Sequence, residues 1–88
     1  MGGVADAIER KLRAALSPTK LELRDDSARH AGHAHAGVET HFDLTIEAAP
    51  FAGLTRVGRQ RLVMTALAEE LAGPVHALAI HAKAPGEG

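Results

Sequence analysis

His41-Phe42-Asp43-Leu44-Thr45-Ile46 alternates polar and apolar residues along its length. A side-chain period of two puts Phe42, Leu44 and Ile46 on one face of a strand and His41, Asp43 and Thr45 on the other. Working back toward the N-terminus, Lys20-Leu21-Glu22-Leu23-Arg24-Asp25 alternates in the same way and predicts a second half-buried strand. Between the two runs lies a stretch of about a dozen residues, Ser27 to Val38, long for a hairpin connection and therefore a candidate functional loop. The two strands should pair antiparallel across it.

Helical periodicity flanks this pair on both sides. Val4, Ile8, Leu12 and Ala15/Leu16 recur at helical spacing and predict a first helix over Val4–Leu16, with Glu9, Arg10, Lys11 and Arg13 on its solvated side. Ser17-Pro18 ends it, since proline cannot continue the hydrogen-bond ladder. Downstream, Pro50 and Gly53 mark a turn, and Thr55 is placed to cap a second helix over Arg56–Leu71. The expected buried stripe of that helix is Val57, Met64, Leu67 and Leu71, with Val63 and Ala68 beside it. Gly73-Pro74 closes the helix. Val75 to Ala82 is short and apolar, and reads as a buried third strand. Residues 1–3 and 84–88 are expected to fray.

The order helix, strand, strand, helix, strand fits one domain spanning residues 1–88, with neither a repeat nor a second unit. The fold class is α+β, in αββαβ order. It consists of a three-stranded sheet with both helices on one face, the arrangement that buries both apolar stripes in a short chain.

Composition narrows the function. The core must be aliphatic, because two Phe are the only aromatic residues among Phe, Trp and Tyr. That leaves little for stacking nucleobases. The formal charge of −1 gives no electrostatic footprint for nucleic acid. No apolar run approaches the ~20 residues of a membrane span, and the N-terminal residues lack a signal-peptide core, so a cytoplasmic protein is the expectation. There is no Cys, which excludes disulfides, a thiol nucleophile and thiolate metal ligands from this chain. The six His are the distinctive feature; their protonation would carry the net charge to about +5 as pH falls through the imidazole range.

Three of those histidines sit in Arg29-His30-Ala31-Gly32-His33-Ala34-His35. Neutral imidazoles suit Zn, Cu, Ni and Fe, although this spacing matches neither a zinc finger nor a helical His pair. The plain alternative is a solvated polar loop. His76 opens the third strand beside Val75 and Ala77-Leu78; it is either a ligand or a partly buried histidine satisfied by one hydrogen bond. His41 and His81 read as outward strand positions. The pairs Asp25-Asp26 and Glu69-Glu70 read as solvated carboxylates, since nothing sets two acid groups apart for acid–base work. Ser27 with His30 lacks an orienting group and an oxyanion hole. No enzyme is expected, and no small-molecule substrate. Arg56, Arg59 and Arg61 form a basic start to the second helix, a surface for phosphate or an acidic partner if not merely solvated.

Read together, these pieces resemble the BolA family. Leu21-Glu22-Leu23-Arg24-Asp25-Asp26-Ser27 is similar to its first strand, Arg29-His30-Ala31-Gly32-His33 to the H-x-G-H form of its variable loop, and Glu39-Thr40-His41-Phe42 to the opening of its second strand. Phe51-Ala52-Gly53 and Arg59-Gln60-Arg61 resemble its F-x-G and R-H-R elements, and Ala68-Glu69-Glu70-Leu71 with Val75-His76-Ala77-Leu78 its helix end and His-Ala-Leu signature. The match covers about Ile8 to Pro85. Gln60 departs from it, standing where the family usually has His.

The resemblance implies a domain similar to a class II KH fold and a monothiol glutaredoxin as partner. It also implies a [2Fe–2S] cluster shared with that partner and glutathione, none being expected in the isolated chain. The histidines implied as ligands are His76 and His30, with His33 the rival. Histidine in place of thiolate raises a cluster's reduction potential, and ligation by neutral imidazole weakens as pH drops through ~6. The alternative implied by the resemblance is a DNA-binding transcriptional regulator using Arg56, Arg59 and Arg61. KH domains, however, clamp the backbone with G-x-x-G, and no two glycines here have that spacing.

Overall fold

The computed structural model describes residues 3–25 and 41–87. The described residues form helix α1 (Gly3–Leu16), strands β1 (Lys20–Asp25) and β2 (His41–Glu47), a 3-10 turn (Ala49–Phe51), helices α2 (Arg56–Ala66) and α3 (Ala68–Ala72), and strand β3 (Ala77–Lys83). The sheet has the order β1-β2-β3. β1 and β2 pair antiparallel, with Leu21 opposite Ile46 and Asp25 opposite Phe42. β3 runs parallel to β2, with Ala77 beside His41 and Lys83 beside Glu47.

This register lines up the apolar positions. Leu21 and Leu23, then Phe42, Leu44 and Ile46, then Leu78, Ile80 and Ala82 share one face. Ile8, Leu12 and Leu16 of α1 and Val63 and Leu67 of α2–α3 pack into the same core, so the helices cover one face as expected. Phe51, fully buried, plugs the core from the 3-10 turn. Gly53 follows at φ 79°, a left-handed conformation in which a side chain would be strained. Among the described residues no helix covers the other face, which is mainly polar. On it Lys20, Glu47 and Lys83 lie in one row, and Asp43 lies 3.6 Å from Arg24 and 3.4 Å from His81. His41 and His81 both belong to this face, as expected of outward strand positions.

Three details depart from the expectation. The second helix breaks at Leu67 into α2 and α3. Its buried stripe is Val63, Leu67 and Glu70, whereas Val57 (54% exposed) and Met64 (48%) face solvent. The inward row carries a charged residue at each end, Arg59 and Glu70. That hides the stripe from a reading that takes charge as surface.

The third strand is not buried on both sides. Leu78, Ile80 and Ala82 are half-buried, and the alternating Ala77, Ala79, His81 and Lys83 are exposed. Alanines on the open face lengthened the apolar run without adding burial.

Residues 84–87 make contacts with the body of the fold. Ala84 is buried, and the Glu87 carboxylate takes two hydrogen bonds from the Arg59 guanidinium, at 2.6 and 2.7 Å, and one from the Ala84 amide at 2.9 Å. Arg59 also donates to the carbonyls of Leu54 (3.1 Å) and Ala82 (3.3 Å). One side chain thus joins the start of α2, the end of β3 and the C-terminal turn. Thr55 caps α2 as expected, its Oγ1 accepting from the Gly58 amide at 3.0 Å.

Leu67→Ala should cost about 2–5 kcal/mol of stability, whereas Met64→Ala should stay within about 0.5 kcal/mol; denaturant unfolding of the two variants checks the stripe directly. The C-terminal clasp predicts a pH dependence. The Arg59 hydrogen bonds, and after them the Ala84 amide, lower the Glu87 carboxyl from 4.5 to about 2. A carboxyl depressed on folding stabilises above its unfolded value, and that contribution disappears as pH falls from about 4.5 toward 2. Melting curves across this range should show wild type losing an advantage over Glu87→Gln. Parallel curves for the two proteins would contradict the clasp.

Candidate functional site

The turn from α3 into β3 is short and held from inside. The Glu70 carbonyl accepts from the Val75 amide at 2.9 Å and from the Gly73 amide at 3.3 Å. A side chain at position 73 would press on the Glu69 carbonyl, 3.3 Å from where its Cβ would stand. Val75 is buried (4% exposed) and anchors the turn in the core. His76 follows immediately and is exposed. Ala77 then enters the sheet beside His41.

His76 is therefore flanked by two anchored residues while being itself exposed. It is exposed rather than partly buried, and among the described residues it has no hydrogen-bond partner. Its location is set by the sheet. β1 ends at Asp25, opposite Phe42, and β2 begins at His41, beside Ala77. The segment 26–40 therefore leaves and re-enters the sheet at the end where His76 stands. His30, His33 and His35 belong to that segment and lie outside the described residues, as do Ser27 and Asp26. Among the described residues no group of three or more His, Cys, Asp or Glu could hold a metal ion. A metal at His76 thus needs ligands from segment 26–40 or from another molecule.

The three arginines do not form one surface. Arg59 is committed to Glu87 and two carbonyls, with its side chain 15% exposed. Arg56 is exposed and lines a groove of about 600 Å3 with Gln60, Ile80, His81 and Lys83, between α2 and β3. Arg61, also exposed, lies on another side of α2, against Ala15 and Leu62. A separation of two residues turns a helix by about 200°, which sends Arg59 and Arg61 apart.

The acidic pair Glu69-Glu70 is not simply solvated either. Glu69 is exposed, but Glu70 is buried, and Lys11 of α1 reaches both, at 2.5 and 2.7 Å. Neither this contact nor the Arg59–Glu87 clasp shows in the sequence, because each joins residues far apart in the chain. The only local signal was a charged residue at helical spacing from the apolar stripe.

A family model described as BolA-like protein matches residues 12–87. The chain is 54% identical over 86 residues to BolA-like protein 1 of Mus musculus, covering 98% of this chain and 61% of the relative, so it spans about three fifths of that protein. It is 44% identical over 78 residues to the DNA-binding transcriptional regulator BolA of Escherichia coli, covering 89% of this chain and 72% of the relative. The structure superposes on the BolA domain of SufE1 from Arabidopsis thaliana with TM-score 0.88 at 41% identity, covering 100% of this chain and 99% of that domain. With the family model, the identity to relatives and the superposition all pointing the same way, the chain belongs to the BolA-like protein family.

Proposed function

We propose that this chain is a non-enzymatic adaptor that contributes histidine ligands to a [2Fe–2S] cluster shared with a monothiol glutaredoxin. The observation that carries the reading is His76. It is an exposed imidazole without a partner among the described residues, set between buried Val75 and sheet-paired Ala77 at the end where segment 26–40 begins and ends. A side chain preorganised by its neighbours but chemically unspent is what a ligand site requires. The donor set fits the group. Imidazole ligates iron, and a chain without Cys leaves the thiolates to the partner and to glutathione. His76 is one ligand; His30 is the second, with His33 its rival.

The chain's own residues then do two things. They hold an imidazole at the surface, and they put it at the sheet end where β1 stops and β2 starts. When bound, a mixed histidine–thiolate cluster would have a higher reduction potential, and so accept an electron more readily, than an all-thiolate one. Such a property suits sensing or transfer of iron–sulfur units.

The regulator reading draws support from the name of the E. coli relative, a DNA-binding transcriptional regulator. For this chain, Arg59 is already engaged, so phosphate contacts would fall to Arg56 and Arg61 on separate sides. Each phosphate neutralised contributes about −0.9 to the slope of log K against log salt. With Arg56 and Lys83 both lining one groove, a slope of about −1 to −2 is expected there, reduced by about 1 in Arg56→Ala and again in Lys83→Ala.

Mixing the chain with cluster-loaded monothiol glutaredoxin should change the cluster's visible absorption and circular dichroism. His76→Ala should abolish that change, and His30→Ala or His33→Ala should reduce it. Lowering pH through about 6 should reverse it, because protonated imidazole is no ligand. An unchanged spectrum, or a change that survives His76→Ala, would rule the proposal out.

A further inference from the structure

Glu70 is an unusual residue for a short helix. It is 8% exposed, and its Oε1 is buried with no hydrogen-bond partner among the described residues. Its Oε2 is held by the Lys11 ammonium at 2.7 Å. Lys11 is 28% exposed at its side chain and also reaches the exposed Glu69. Pairing with Glu69 first, and then with Glu70, keeps the Lys11 ammonium more firmly protonated than usual. An ion pair at the open surface contributes little. A nearly buried carboxylate is different, because removing its cation leaves an uncompensated charge.

The same residue acts at both of its ends. Through its side chain Glu70 is tied to α1; through its carbonyl it accepts from the amides of Gly73 and Val75. Val75 is one residue before His76. α3 has only five residues, too few to be stable as a helix alone. If its carboxylate lost Lys11, the least costly relaxation would be a rotation of α3 that carries Glu70 out to water. That rotation would drag the carbonyl on which the Val75 amide rests. From the other side, Ala77 is pinned by its register with His41. The turn between must absorb the change, and His76 lies in it.

We infer that Lys11, by neutralising Glu70, is a positioning residue that holds the α3–β3 turn and thereby the direction of His76. The inference deepens the proposed function and rests on that reading for its consequence, though its structural part stands alone. Two measurements separate them. The first is the NMR signals of the His76 ring in the free chain; the second is cluster uptake from loaded monothiol glutaredoxin.

Lys11→Met should shift and broaden the His76 ring signals while the β1–β2 amide signals stay in place. Cluster uptake should weaken on the order of 10-fold, as for loss of an outer contact to a metal ligand. Lys11→Arg should restore both. Lys11→Met/Glu70→Leu, which removes charge and countercharge together, should also return His76 to its wild-type signals. This double variant carries the test if the single one does not fold. Wild-type His76 signals in Lys11→Met, or a double variant whose ring signals remain displaced, would overturn the inference. If wild type takes no cluster at all, the proposed function falls while the ring signals still decide the role of Lys11.

Discussion

Parallel pairing of β3 with β2 is the constraint on which the placement of every chemical group depends. A parallel neighbour cannot be reached by a hairpin and needs a crossover, here supplied by α2 and α3. The crossover returns the chain to the end of the sheet where β2 starts. With Ala77 beside His41, the residue just before β3 stands where the β1–β2 connection also enters and leaves. An antiparallel third strand would have put His76 at the opposite end from segment 26–40. The proposed site is thus a consequence of topology before it is a matter of side chains.

A second theme is charge placed at core-facing helix positions and satisfied across the fold. Arg59 and Glu70 occupy the two ends of the inward row of the second helical segment, and each is matched by a residue distant in sequence, Glu87 and Lys11. The first pair fastens the C-terminal turn to α2 and β3; the second fastens α3 to α1. A small aliphatic core leaves little reserve of stability, so such clasps fix the relative placement of elements that apolar contacts alone hold loosely. They also take Arg59 out of any nucleic-acid surface.

The strands, the caps and the α1 stripe were legible because their signals are local. Alternation over Lys20–Asp25 and His41–Ile46, the Thr55 cap and the Ser17-Pro18 stop each depend on neighbouring residues only. What escaped the sequence was non-local. Arg59 and Glu70 read as surface because their partners lie far along the chain, and this turned the predicted stripe toward Val57 and Met64. Ala77 and Ala79 read as core because alanine carries no mark of the face it occupies. The exposure of His76 follows from Val75 turning inward, which the apolar run around it concealed. As for the candidate ligands, the sequence singled out His76 together with His30 and His33. The structure describes the first, and the other two lie outside the described residues.

The central claim is that this chain places its own imidazole nitrogens on the iron of a shared cluster. Pulsed electron paramagnetic resonance on the reduced complex with a monothiol glutaredoxin, made with 15N-histidine in this chain only, reads those nitrogens directly. The account predicts strong couplings from two histidine nitrogens, one of which disappears in His76→Ala. Absence of any strong 15N coupling, or a pattern identical in His76→Ala, would contradict it.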